Sequence, residues 1–467
     1  MRRDLSHLLL GATTRNESEE GDARYWNLFA YPLTLGSGRY VFLSDRRSVL
    51  SVDERTYRDL EQTRGRRLPE TVSNEQAREL LDSGLIKCEP ASAQFASTFA
   101  VKTSARKENA LLHLITSYTC NLTCSYCFML ADLDDHRERF LSFEDAKSGI
   151  DLYFGMPHKR DSVIHFYGGE PLLHPHLLGD CLSYIHDRYS DEVLPKIITN
   201  GTLYGPQVLS LLRKYTFDLS VSMDGDRQAH DVFRLDHQGR STFDMTVNGV
   251  RAFQDIGCNP KILITVGAHN INRLPEVVSA ILELGPPAIA LNFPRELSRS
   301  DNQLDNDAAD PAFWIEQYER SLELCYTRNT PELYFADMLF AFLSGEPVLN
   351  PCAACGSQIS VGPGGQIGPC QAFVAAGLFS QPIEQFGSDT PTDPFRPWAS
   401  VSKASSRTCS RCPIAPICGG DCSFDRYNRT ESLHEPLAFH CDLRFRMVEH
   451  LVKRLIGGER LGFASRP

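Results

Sequence analysis

The chain has 467 residues, 42% of them hydrophobic, and a formal net charge of −11 at pH 7. That length suggests about two to four domains with ample cores, and the acidic balance argues against bulk nucleic-acid binding. No stretch reaches the roughly 18 to 20 apolar residues of a membrane span, and the short patch Leu8-Leu9-Leu10 is no export signal, so a cytoplasmic protein is expected.

Residues 24–87 read as short strands followed by helices. The strand signals are Phe29-Ala30-Tyr31, Tyr40-Val41-Phe42-Leu43 and Val49-Leu50-Ser51-Val52. Asp53 is placed to cap a helix over 54–62, Ser73 one over 75–83, and Gly84 stops the second. From residue 106 to about 295, strand and helix signals alternate. The strands are expected at 111–116, 162–166, 196–200, 218–223, 261–266 and 288–292. Ser142 caps one intervening helix, with acids in its first turn, and Pro206 and Pro275 suit first-turn positions. Gly155, Gly257 and Gly285 fall where helices end. Six such units imply a parallel sheet covered by helices. The polar run 297–310 reads as a loop, with helices near 311–328 and 331–343.

Fifteen cysteines in a reducing compartment point to metal ligands or free thiols rather than disulfides. Cys88, Cys181, Cys258 and Cys325 are scattered and read as ordinary, mostly buried residues. Cys120, Cys124 and Cys127, spaced C-x3-C-x2-C, follow the first strand of the alternating region. Three thiolates from one loop can hold three irons of a [4Fe–4S] cube and leave the fourth open to a ligand. A zinc site completed by His113 or His136, or a disulfide framework, are the alternatives.

With Tyr126 before the last cysteine, this motif resembles that of the radical S-adenosylmethionine (SAM) enzymes. The resemblance implies a partial (β/α)6 barrel of TIM-like type, with its chemistry at the C-terminal strand ends. It implies that the open iron chelates SAM, and that one electron then yields methionine and a 5′-deoxyadenosyl radical. Tyr167-Gly168-Gly169-Glu170-Pro171, after the second strand, matches the family's Gly-Gly-Glu segment, which would place Glu170 on the SAM amino group. Thr199-Asn200-Gly201 ends the third strand, and Asn200 would face the methionine or ribose. Ser222-Met223-Asp224-Gly225 ends the fourth; by the family match Ser222 and Arg234 would hold the SAM carboxylate, with Arg240 a rival. Val266-Gly267-Ala268 would lie near the adenine.

The C-terminal third carries Cys352, Cys355, Cys370, Cys409, Cys412, Cys418, Cys422 and Cys441. C-x14-C followed by C-x2-C-x5-C-x3-C and a last cysteine resembles the SPASM domain, which holds two auxiliary [4Fe–4S] clusters. The family's interleaved ligation implies Cys352, Cys355, Cys370 and Cys422 for one and Cys409, Cys412, Cys418 and Cys441 for the other, three clusters in all. The short spacing from Cys352 to Cys355 leaves open an unliganded iron in the first. In SPASM sulfatase maturases an Asp follows the cysteine equivalent to Cys370 and acts as base; Gln371 stands here, which disfavours that reaction.

The strand-then-helix order of the N-terminal region resembles a winged-helix-like module, the PqqD-like precursor-peptide recognition element. An α/β protein of three domains is therefore expected: that winged-helix-like module over 1–104, the barrel over 105–335 and the iron–sulfur SPASM domain over 336–467. The resemblance implies oxidative modification of a ribosomally made peptide or protein by a crosslink, thioether or C–C bond, with flavodoxin or ferredoxin as reductant and neither nucleic acid nor membrane as partner. A small-molecule dehydrogenase of the same superfamily and a non-catalytic iron–sulfur docking scaffold are the rival readings.

Overall fold

The computed structural model describes residues 23–457 apart from 69–73, 100–108, 131–138, 190–192, 293–310, 346, 349–351, 388–392 and 400. The expected Ser73 cap, His136 and the 297–310 loop lie outside the described residues.

The N-terminal module opens with β1 (Tyr25–Trp26), β2 (Ala30–Leu35), β3 (Gly38–Leu43) and β4 (Ser48–Ser51), then α1 (Glu54–Thr63), α2 (Asn74–Ser83), β5 (Ile86–Lys87) and α3 (Ala91–Phe99). β2, β3 and β4 form an antiparallel sheet in that order, and β1 pairs with β5. Asp53 caps α1 as expected, accepting from the Thr56 N–H at 2.7 Å. Trp26, Val41, Leu43, Leu60 and Ile86 make a small core of its own.

All six expected barrel strands form: β6 (Asn109–Ser117), β7 (His158–Gly168), β8 (Leu194–Thr199), β9 (Asp218–Ser222), β10 (Lys261–Thr265) and β11 (Ile289–Asn292). The helices between and after them are α4 (Phe143–Gly155), α5 (Pro175–Tyr189), α6 (Pro206–Lys214), α7 (Arg227–His230), α8 (Phe243–Asp255), α9 (Leu274–Leu282), α10 (Pro311–Thr327) and α11 (Leu333–Ser344). Ser142 caps α4, its Oγ accepting from the Asp145 N–H at 3.0 Å. Pro206 begins α6.

Alternation along the strands sorts the side chains. Leu112, Leu114, Ile164, Phe166, Ile197, Val221, Ile262 and Ile264 are fully buried beneath the helices in one continuous core. The opposite face carries His113, His165, Tyr167, Asn200 and Ser222. His113 pairs with His165, His165 with Lys196, and Lys196 with Asp218 across four neighbouring strands. That face therefore mixes polar side chains with apolar ones such as Ile198 and Leu263, whereas the face under the helices is apolar.

The C-terminal region supplies β12 (Gln358–Gly362), β13 (Gln366–Gly368), α12 (Gln371–Ala376), β14 (Gln381–Pro382), α13 (Arg396–Ala399), α14 (Ser423–Thr430) and α15 (Ala438–Gly457). β12 lies parallel to β6, with Ser360 opposite His113. The sheet accordingly has nine strands in the order β11-β10-β9-β8-β7-β6-β12-β13-β14, all parallel except the last two pairings. The expectation of six strands missed this extension, because β12 reaches its partner across more than 240 residues and nothing local signals that pairing. Cys181 and Cys325 are buried as expected, whereas Cys88 is exposed.

Candidate active site

The C-terminal ends of the barrel strands surround a cavity of about 340 Å³. Cys120, Cys124 and Cys127 line it together with Tyr126, Gly168, Gly169, Asn200, Ser222 and Arg234. The loop after β6 thus meets the ends of β7, β8 and β9 in one space.

The cysteine loop is held by backbone bonds. The Gly169 N–H donates to Ser117 O at 2.7 Å and the Glu170 N–H to Thr119 O at 3.0 Å. On the far side, the Thr123 N–H donates to Leu235 O at 2.8 Å, and His237 Nε2 lies 2.8 Å from Cys120 O. A Cβ on Gly168 would stand 2.3 Å from Ser117 O, and one on Gly169 2.2 Å from Thr119 O. Gly168 also has φ of 137°, open only to glycine. The nearest neighbour of both glycines is the protein's own cysteine loop.

Glu170 is 1% exposed, and its carboxylate accepts from Leu172 N–H at 3.0 Å, Thr199 Oγ1 at 2.8 Å and Asn200 N–H at 2.8 Å. A carboxylate has about four acceptor positions, so these bonds fill three of them, and Glu170 itself lies behind the residues that line the cavity. Burial outweighs those three bonds and pushes its pKa up to about 7. Asn200 gives its Nδ2 to Asn121 Oδ1 at 2.9 Å and takes the Thr202 N–H and hydroxyl on its Oδ1 at 2.9 and 2.7 Å. Its Nδ2 lies 3.7 Å from Cys120 Sγ.

The structure adds a residue that sequence reasoning passed over. Asp224 is fully buried, and its Oδ2 accepts from Tyr126 OH at 2.5 Å and pairs with Arg234 Nε at 3.0 Å. Its Oδ1 accepts from the Thr265 N–H at 3.0 Å. The Arg234 guanidinium sits 5.3 Å from the centre of the Tyr126 ring. Arg234, expected to face a carboxylate of the ligand, is thus already charge-paired within the protein, although it lines the cavity. Arg240, the rival, is on the surface and pairs with Asp236 at 2.6 Å.

Deeper in the cavity stand His165, Tyr167 and Gln371. The His165 ring centre is 4.7 Å from that of His113. Burial, then the charges of His113 and Lys196, hold His165 well below the usual histidine range, so it is a neutral imidazole near pH 7. Its Nε2 has no hydrogen-bond partner among the described residues. Gln371 accepts from Gln358 Nε2 at 3.2 Å. Val266-Gly267-Ala268 does not line this cavity; Thr265 and Asn292 do.

The remaining cysteines fall into two places. Cys355 and Cys370 are buried, and Cys352 and Cys422 packed against them, among Phe373, Trp398 and Phe424. Cys409, Cys412, Cys418 and Cys441 line a separate cavity of about 220 Å³. Among the described residues no group of three or more His, Cys, Asp or Glu converges on a point that would hold a single ion. The four thiols around the second cavity are a donor set of the kind a four-thiolate cube takes. Burial pushes the Cys120, Cys124, Cys412 and Cys441 thiols up to about 12, so in isolation they stay protonated near pH 7.

Residues 114–281 match the radical SAM superfamily. The chain is 24% identical over 340 residues to the antilisterial bacteriocin subtilosin biosynthesis protein AlbA of Bacillus subtilis, covering 70% of each chain. It is 21% identical over 360 residues to a serine-type anaerobic sulfatase-maturating enzyme of Bacteroides thetaiotaomicron, covering 71% of this chain and 86% of that one. Among solved structures, native anSMEcpe with bound AdoMet and Cp18Cys peptide shares the fold, with a TM-score of 0.62, 20% identity, and 74% and 98% of the two chains covered. The chain carries a radical SAM domain in an α/β fold with a central, mostly parallel sheet, and is an enzyme with homologues among the peptide and sulfatase maturases.

Proposed function

We propose that this enzyme oxidatively modifies a ribosomally made peptide or protein, using SAM and three [4Fe–4S] clusters. The carrying observation is that the three loop thiols share one cavity with Asn200, Ser222, Arg234 and Gln371. When bound, the cluster at Cys120, Cys124 and Cys127 supplies the electron that converts SAM to a 5′-deoxyadenosyl radical. Glu170 offers its remaining acceptor position to the SAM ammonium while holding Asn200 in place. Asn200 and Ser222 orient the methionine part. Arg234, fixed by Asp224, turns its remaining N–H groups toward the SAM carboxylate. Gln371 positions substrate but takes no proton, which separates this chain from sulfatase maturation.

In this reading, residues 1–104 are a winged-helix-like recognition element, 105–335 the barrel, and 336–467 a SPASM domain whose β12 closes the barrel's side. The β2–β3–β4 sheet has edges on which an extended leader can add as a strand. Support for a peptide substrate comes from the relative named for bacteriocin biosynthesis and from the peptide in the anSMEcpe structure. A flavodoxin or ferredoxin would deliver the electron.

The test is anaerobic co-expression of the full chain with each short reading frame beside its gene, read by mass spectrometry. One peptide is expected to lose two hydrogens in a SAM-dependent manner, and to stay unmodified when its leader is deleted. Oxidation of a small alcohol or amine, with every such peptide untouched, would shift the assignment to a dehydrogenase. Absence of SAM cleavage under dithionite would leave only the docking scaffold.

A further inference from the structure

The two C-terminal cysteine groups differ in their electrostatics. Cys352, Cys355, Cys370 and Cys422 pack among apolar and aromatic side chains, and the one cation seen to act on Cys355, Arg426, acts on Cys409 as well. The cavity of Cys409, Cys412, Cys418 and Cys441 is lined by Lys403, which is only 4% exposed. Lys403 Nζ donates to Val348 O and Ala415 O, each at 2.6 Å, and to Cys418 O at 2.5 Å. Three acceptors use all three protons of an ammonium, and each is a neutral carbonyl, so these bonds leave its charge uncancelled. The neighbouring cation, Arg426, is by contrast neutralised by Asp421, with which it pairs directly. Arg64, from the end of α1, also lines the cavity. Phe99 of α3 places its ring 5.8 Å from Lys403 Nζ and, with Phe29 and Phe95, packs against Ala415 and Cys412. The N-terminal module therefore packs against one side of the site.

Reduction of a four-thiolate [4Fe–4S] cluster adds one negative charge to an already anionic centre. An apolar surrounding opposes that step; a fixed, desolvated cation favours it. We propose that Lys403 is the positioning residue that makes the Cys409, Cys412, Cys418 and Cys441 cluster the more oxidising of the two auxiliary clusters. That cluster, in its oxidised 2+ state, takes the single electron released as the substrate radical is oxidised and becomes 1+. This inference rests on the reading of those four cysteines as cluster ligands.

The experiment is an EPR-monitored redox titration of full-length, anaerobically reconstituted protein in which Cys120, Cys124 and Cys127 are Ala, so that only auxiliary clusters remain. Lys403→Met is expected to lower the potential of the higher-potential signal by at least tenfold in its reduction equilibrium, about 59 mV for one electron. The other signal stays in place, and Lys403→Arg, which keeps the charge, titrates close to the parent. Unmoved potentials, equal movement of both signals, or movement of the lower one alone would overturn the proposal. So would equal loss of iron in Lys403→Met and Lys403→Arg, which would mark a purely structural residue. Failure of the ligand reading is separately visible: the parent would then hold well short of about eight irons.

Discussion

Replacing Cys120, Cys124 and Cys127 together by Ala is expected to abolish 5′-deoxyadenosine formation and to lower the iron content from about twelve to about eight per chain. All three thiols come from one loop, and all three line the cavity that also receives Asn200, Ser222 and Arg234. Burial makes the Cys120 and Cys124 thiols costly to ionise without a cationic partner, so loss of the set removes the thiolate ligands a cluster needs there. The loop itself is held by backbone bonds from Gly169, Glu170 and Thr123, none of which uses a cysteine side chain. The fold should therefore survive, and circular dichroism should match the parent. Anaerobic iron analysis and chromatography of SAM products check the result; deoxyadenosine production by the triple variant would disprove the assignment of the loop.

The second large effect is on stability. Asp224→Ala is expected to cost about 3–5 kcal/mol, because it leaves the Arg234 charge buried without its partner. The same change removes the acceptor for Tyr126 OH and for the Thr265 N–H. Burial, chiefly, raises the Tyr126 pKa far above its ordinary value, so that hydroxyl stays a donor and is orphaned by the substitution. Asp224→Asn keeps the shape and an acceptor oxygen, and should lose less. Thermal or denaturant unfolding under argon measures both, and SAM binding should weaken in parallel. A change below about 1 kcal/mol in Asp224→Ala would mean that Arg234 finds another partner.

Much of this architecture could be read in the residues before the structure. The barrel strands lie close to their expected positions because most carry Leu, Ile, Val or Phe at alternating buried positions, as β6, β7 and β10 do, and the caps at Asp53 and Ser142 follow from local chemistry. Gly168-Gly169 was recognisable as part of a family segment, but only the fold shows that these glycines let the backbone approach Ser117 and Thr119. Three features had no local signal. β12 joins β6 through long-range pairing that depends on a buried edge rather than on its own sequence. Asp224 lay within a recognised segment, yet its partners Tyr126, Arg234 and Thr265 come from three separate elements. Lys403 reads as an ordinary surface lysine until Val348, Ala415 and Cys418 are folded around it. Long-range electrostatics of this kind is set by topology, and sequence periodicity carries no trace of it.

The central claim is an open iron at the barrel mouth that binds SAM. It is tested most directly by EPR of the dithionite-reduced, full-length protein with and without SAM, alongside the triple Cys120, Cys124 and Cys127 variant. A SAM-dependent change in the reduced-cluster signal of the parent, missing from the variant, is predicted. Identical spectra of the parent with and without SAM would contradict it.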